Sequence, residues 1–274
     1  MTKEFHCVTV GNPNAGKSTL FNALTGSNQQ VGNWSGVTVE KKTGYFTLDN
    51  TNVHLTDLPG IYDLLPAGNT CDCSLDEQIA QQYLAEQRVD GIINLVDATN
   101  IERHLYLTVQ LRELGIPMVV VLNKIDAAKK LGINTDLDSM SKELGCPVIA
   151  VCSREESDVK QVQDQVLRLL NGEITESPLM LDYDESIESG VKKLQHHSEG
   201  LSRGRALAML GNGNGCGHCD STSLKDVVND CTQIAEQSGT DIEVLVATTR
   251  FDFVQKVFDS SVNVAGHEST SVKL

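Results

Sequence analysis

The sequence predicts an α/β fold, a mainly parallel sheet flanked by helices and followed by a small all-α domain, on three observations. Short continuous apolar runs at residues 5–10, 91–96 and 116–122 have the length and composition of strands buried on both faces. Segments with apolar residues at helical spacing lie between them, and that alternation builds parallel sheets. Beyond residue 157 only helical periodicity remains.

In chain order, the strand at 5–10 is followed by a glycine-rich turn and a helix at 18–24, whose Leu20, Phe21 and Leu24 share one face. Residues 25–42 are rich in Gly, Asn, Gln and Ser, too polar for core and too long for a simple turn, and read as a loop. Two strand-like runs, 43–48 and 52–57, flank Asp49-Asn50-Thr51 and read as a hairpin. A loop at 61–73 precedes Ser74-Leu75-Asp76-Glu77, which has the spacing of a capping box and opens a helix at 75–86 with Ile79, Ala80, Tyr83 and Leu84 on one face. The strand at 91–96, a helix at 101–114, the strand at 116–122 and a last strand at 148–151 complete the first unit, residues 1–156. The second, 157–274, carries helical patterns at 159–170, 184–197, 201–210, 224–237 and 242–257, with a polar Gly/Asn loop at 211–220.

Three motifs each follow a strand. Gly11-Asn12-Pro13-Asn14-Ala15-Gly16-Lys17-Ser18 fits G-x-x-x-x-G-K-S and turns at a helix N-terminus, where free backbone N–H groups and the helix dipole favour an anion. Gly16 permits close phosphate approach, Lys17 supplies a cation for the β and γ phosphates, and the Ser18 hydroxyl, followed by Thr19, can ligate Mg²⁺. Asp57-Leu58-Pro59-Gly60 puts a carboxylate where it can hold a water on Mg²⁺ and a glycine N–H near the γ-phosphate. In Asn123-Lys124-Ile125-Asp126, Asp126 can accept from the guanine N1–H and amine, a donor pair that adenine lacks, so it selects GTP over ATP. Together they specify a Ras-like P-loop GTPase binding GTP and GDP. The segment between the first two motifs is where such proteins keep a loop ordered by γ-phosphate. Gly36, Val37 and Thr38 are its nucleotide candidates, with Thr38 the second Mg²⁺ hydroxyl; as an alternative, Thr38 simply begins a strand. Cys152-Ser153-Arg154 sits where a backbone contact to the guanine oxygen is expected, or is a plain strand-to-helix turn.

Net charge is −15 and the pI near 4.8, which argues against a phosphate-neutralising surface and hence against nucleic acid. No run reaches the roughly 18–20 apolar residues that span a bilayer, and residues 1–10 lack signal-peptide character, so the segment reads as soluble. The eight cysteines are scattered, and a nucleotide switch belongs in the reducing cytosol, so free thiols are expected. Cys216, His218 and Cys219 offer three clustered metal donors where closed structural sites use four, and Cys71 and Cys73 offer two, so both groups read first as exposed loop residues.

Residues 11–18, the stretch Val31-Gly32-Asn33-Trp34-Ser35-Gly36-Val37-Thr38-Val39-Glu40, Asp57-Leu58-Pro59-Gly60 and Ser74-Leu75-Asp76-Glu77-Gln78 together resemble the cytosolic N-terminal part of the bacterial FeoB ferrous iron transporter family. The resemblance implies a GTPase domain, then a small helical domain akin in function to a dissociation inhibitor, then a membrane permease absent here. It implies a place at the cytoplasmic face of the bacterial inner membrane, with the permease, small cytosolic Feo proteins and further copies of the chain as partners. It also implies K⁺ beside the phosphates, held by the Asn14 side chain and the carbonyls of Gly32 and Trp34. From the residues alone, Asn14 is equally a turn residue and Trp34 a packing residue. The loop at 211–220 departs from the family pattern.

Ile61 stands where Ras-like enzymes place the glutamine that orients water. Hydrolysis is therefore expected to be slow and to draw on Lys17, Thr38, Gly60, Mg²⁺ and a cation at Asn14. The competing functions are an RNA- or ribosome-associated assembly GTPase and a GTP-dependent protein-binding switch.

Overall fold

The computed structural model describes residues 3–64, 74–152, 155–174, 176–177, 179–198, 201–211, 228–229 and 241–265. The predicted loops at 65–73 and 212–220, including the Cys71/Cys73 and Cys216/His218/Cys219 groups, and most of the expected helix at 224–237 lie outside these residues. So do Ser153 and Arg154.

Nine strands and nine helices are described. They are β1 (Lys3–Gly11), α1 (Lys17–Thr25), β2 (Gln29–Asn33), β3 (Glu40–Leu48), β4 (Thr51–Asp57), α2 (Leu75–Glu86), β5 (Gly91–Asp97), α3 (Ile101–Glu113) and β6 (Met118–Asn123), then α4 (Ile125–Lys130), β7 (Ile133–Thr135), α5 (Leu137–Leu144), β8 (Val148–Ala150), α6 (Glu156–Leu170), α7 (Glu185–His197), α8 (Arg203–Gly211), α9 (Ile242–Ser261) and β9 (Val262–Val264). Seven strands form one sheet in the order β2-β3-β4-β1-β5-β6-β8, parallel from β4 to β8 with β2 and β3 antiparallel at one edge. The architecture is the predicted α/β arrangement.

Both faces are dry at the centre of the sheet, where successive side chains alternate between two apolar layers. In β1, Cys7 joins the layer under α1 and α6, whereas Val8 and Val10 join the layer under α2 and α3. Burial pushes the Cys7 thiol well above its usual range, and Cys7, Cys146 and Cys152 are free. The β3–β4 hairpin turns on two residues, Asp49 and Asn50, both with positive φ, so Thr51, read from sequence as turn, pairs with Leu48.

Three further expectations change. The loop read over 25–42 contains β2, whose residues are all exposed; its pairing with β3 is made by backbone alone, so no hydrophobic alternation announced it. The first helix past residue 156, α6, packs on α1, β5 and β6 and buries Val162 and Val166 in the sheet's own core. The helical region is not free of strands either, since β9 pairs antiparallel with β7.

α8 and α9 pack on α3, α9 also on α5, and α7 packs on α8, and buried charge as well as apolar contact joins α9 to α3. Arg250 of α9, 3% exposed along its side chain, places Nε 2.9 Å from Glu113 Oε2 at the end of α3, and the Tyr183 hydroxyl donates to the other oxygen of Glu113. Beside it, Arg112 donates to the carbonyls of Leu144, Gly145 and Ser177 and pairs with Glu176 at 2.8 Å. Gly204 of α8 sits so close to α3 that a Cβ would stand 2.0 Å from the Glu113 carbonyl oxygen. Removing one member of such a buried pair strands its partner's charge. Arg250→Met should therefore destabilise the chain by about 3–5 kcal/mol in urea unfolding followed by circular dichroism.

Candidate nucleotide site

The sheet order places β1 between β4 and β5, with the chain crossing away from it on both sides, so the crevice at the carboxyl end of β1 is the natural place for a ligand. Residues 11–16 turn there into α1. Gly16 has φ 97° and a Cβ on it would lie 2.2 Å from Asn123 Nδ2, so only glycine lets the loop pass the guanine-motif strand. Asn14 also has positive φ, 66°, and is exposed. Asn12 is buried, and neither of its amide atoms has a hydrogen-bond partner among the described residues.

The first two motifs meet across β1 and β4. Asp57 Oδ1 accepts from the Thr9 hydroxyl at 2.6 Å, and Oδ2 faces Ser18 Oγ at 3.4 Å. This set of hard oxygens fits Mg²⁺. Burial lowers the Lys17 pKa against the pull of Asp57 and Asp76, and burial raises that of Asp57 against Thr9, Lys17, Lys42 and Ser18. A buried ammonium at a helix start gains most from a polyanion that restores its lost solvation. Gly60 closes over this point: a Cβ would lie 3.0 Å from Lys17 Nζ and 3.1 Å from Pro13 Cα. Leu58 and Ile61 are buried, and their N–H groups donate to the carbonyls of Thr9 and Gly11 at 3.1 and 3.3 Å. Ile61 thus anchors the segment. Gln110 of α3, also buried, donates to Asp63 and accepts from the Leu64 N–H at 2.9 Å.

The third motif borders a cavity of about 250 Å³ lined by Gly16, Thr19, Asn123, Lys124, Asp126, Ala127 and Cys152. Asn123 Nδ2 donates to the Ala15 carbonyl at 2.9 Å, and Lys124 Nζ donates to the Asn14 carbonyl at 2.6 Å, so the motif is bolted to the phosphate loop. The Cys152 N–H, one of the expected base contacts, is taken by Asp158 Oδ2 at 2.7 Å.

The segment at 31–39 is folded against α2. Trp34 is buried edge-on to Tyr83, centroids 5.4 Å apart, with Lys41 Nζ 4.7 Å from its ring centroid. The Trp34 carbonyl accepts from the Val37 N–H at 3.2 Å, and Gly32 sits in the β2 ladder opposite Lys41. Gly36 and Thr38 are exposed in the turn before β3, and no hydrogen bond among the described residues ties Thr38 to Ser18 or Asp57.

A model of the family described as "Ferrous iron transport protein B" matches residues 5–166, more than half of the chain. The chain belongs to this family. The Fe(2+) transporter FeoB of Legionella pneumophila (strain Lens) is 51% identical over 162 residues, 59% of this chain and 21% of that protein. The Escherichia coli K12 FeoB is 55% identical over 144 residues, 53% of this chain and 18% of that protein. The match thus spans about a fifth of these FeoB proteins. The structure of the cytosolic domain of L. pneumophila FeoB is similar at a TM-score of 0.73, with 35% identity over 94% of this chain and 99% of that one. A GDP-bound point mutant of the S. thermophilus FeoB G-domain reaches 0.81 with 34% identity over 94% and 100%. The GMPPNP form of the T. maritima FeoB cytosolic domain reaches 0.78 with 30% identity over 94% and 99%. These FeoB structures share the Ras-like GTPase fold. Among the described residues of this chain, no helix is long and apolar enough to cross a membrane.

Thr9, Gln110, Asp97, Thr99 and His104 are site-building residues that motif reading missed. Asp97 had a visible signal: it ends an apolar strand as Asp57 does, at the carboxyl edge of the parallel sheet. His104 is buried in α3, and burial carries its pKa down to about 4 although Asp97 pulls it upward. An unfolded histidine titrates near 6.5. As pH falls, the unfolded chain therefore takes up this proton first: the contribution is full above pH 6.5 and is lost between 6.5 and about 4. Urea unfolding at pH 7 and pH 5 should show a smaller acid loss in His104→Asn than in the parent chain.

Proposed function

We propose that this chain is a GTP-binding, slowly GTP-hydrolysing module that regulates or powers ferrous iron uptake by a membrane transporter at the cytoplasmic face of the inner membrane. The observation that carries it is the convergence of Lys17, Ser18, Asp57 and Gly60 at the carboxyl end of β1, beside a cavity walled by Asn123, Lys124 and Asp126. Family membership, with GDP and GMPPNP named in the similar FeoB structures, supports the same reading. The permease of the full transporter is the proposed partner; small Feo proteins and further copies of the chain are secondary ones. The acidic charge of −15 speaks against the RNA-associated alternative. We further propose two units, with α6 counted with the first on the strength of its packing.

In the proposed mechanism the backbone N–H groups of residues 14–18 cradle the β-phosphate, and Lys17 spans the β and γ phosphates. Ser18 and Asp57 would hold Mg²⁺, which would neutralise charge on the phosphates. Asp126 reads the guanine edge from the N-terminal turn of α4. Gly60 offers its N–H to the γ-phosphate, and Ile61, buried, cannot orient water. Thr38 would join Mg²⁺, and the carbonyls of Gly32 and Trp34 the monovalent cation, when the γ-phosphate orders the 31–39 segment.

Asp126→Asn tests the nucleotide assignment. Its amide mismatches guanine but suits xanthine, whose C2 oxygen replaces the amine, so GDP affinity should fall at least about a hundredfold while XDP affinity rises; unchanged GDP affinity sinks the reading.

Asn14→Ala tests the cation. Single-turnover hydrolysis by the parent chain should be faster in potassium than in sodium, and the variant should lose that difference; equal parental rates in the two salts remove potassium from the mechanism.

A further inference from the structure

Asp97 lies outside the three sequence motifs, yet it anchors the lysine that joins the third motif to the phosphate loop. Its Oδ1 accepts from the N–H and the hydroxyl of Thr99 at 2.9 and 2.6 Å, which fixes the carboxylate plane. Its Oδ2 takes Lys124 Nζ at 2.6 Å, and the same ammonium donates to the Asn14 carbonyl at 2.6 Å. On the other side, the Asp97 N–H donates to His104 Nδ1 at 3.1 Å, which places the imidazole proton on Nε2.

We infer that Asp97, oriented by Thr99 and His104, is a positioning residue for guanine-nucleotide binding that holds Lys124 across the phosphate loop. A lysine on its flexible stem loses much rotamer freedom when one carbonyl is its target, and a second, charged anchor makes that geometry the default. The pair is no surface ornament: the Asp97 side chain is 12% exposed and lies against the wall of the base cavity formed by Lys124. Burial would raise the Asp97 pKa, but the hydrogen bonds from Lys124 and Thr99 outweigh it and hold the carboxyl below its usual range, so the anchor stays charged at neutral pH. Lys124 also stands at the N-cap of α4 with φ 63°, a backbone state costly for lysine, two residues before Asp126. One ammonium therefore couples the residue that reads the base to the loop that reads the phosphates, and Asp97 keeps it there.

This inference rests on the GTP-binding reading, and release of a fluorescent GDP analogue separates the two. Failure of the parent chain to bind the analogue refutes GTP binding itself. With binding intact, Asp97→Asn and Lys124→Met should each speed release about tenfold, about 1.4 kcal/mol. The double variant should release no faster than Lys124→Met alone, because without the ammonium Asp97 has nothing to hold. His104→Asn, which keeps an acceptor near the Nδ1 position, should behave as the parent, while His104→Leu should follow Asp97→Asn; this pair tests the same chain of contacts if Asp97→Asn does not fold. Additive effects in the double variant, parental release by Asp97→Asn, or equal release by the two His104 variants overturns the inference.

Discussion

β1 is hydrogen-bonded in parallel to β4 on one side and to β5 on the other, and the site hangs from that central placement. From Cys7 onward β1 is buried, with neighbours on both edges and helices on both faces, so that half is mostly apolar and its nucleotide-facing polar groups come at its carboxyl end. There the loop at 11–16 leaves the sheet between Asp57, which ends β4, and Asp97, which ends β5. Each carboxylate faces an ammonium or hydroxyl of a motif, Asp57 toward Lys17 and Ser18, Asp97 toward Lys124. Displacing β1 by one residue would move its apolar side chains to the wrong layers and separate these groups together.

α3 is the second organising element. One part of it carries Gln110, which grips Asp63 and Leu64 beyond the Asp57–Gly60 motif. The next turn carries Arg112 and Glu113, which grip the linker at 176–177 and, through Tyr183 and Arg250, the helices beyond it. Buried charges of this kind add little net stability compared with apolar packing, but they penalise any docking that leaves one unpaired. The outer helices are thereby seated in one register on the same helix that restrains the segment following Gly60.

Trp34 shows how a residue of a candidate nucleotide-sensing loop can also be core. Its ring is buried against Tyr83 while Gly36 and Thr38 beside it stay exposed, so the 31–39 segment is held at one point and open at the next. Its indole N–H has no acceptor among the described residues. A buried donor without a partner makes this docking weaker than the ring's area alone implies.

The three nucleotide motifs, the parallel sheet and the Ser74–Glu77 cap were legible in the amino-acid order, because each depends on neighbours in sequence: a glycine that must turn, a lysine at a helix start, apolar runs of strand length, and a serine three residues before a glutamate. The edge strand β2, the seat of α6, the β7–β9 pair and the ring of contacts through Asp97, His104 and Lys124 were not. Gln29–Asn33 has no periodicity to read, and α6 has the same amphipathic pattern whether it covers this sheet or a separate bundle. Local chemistry thus determined which ligand the chain is shaped for. Which of its many carboxylates and histidines join the site was decided by tertiary structure, since Asp97 meets Lys124 across 27 residues and Lys124 meets Asn14 across 110, and proximity over such spans exists only once the sheet has brought the strand ends together.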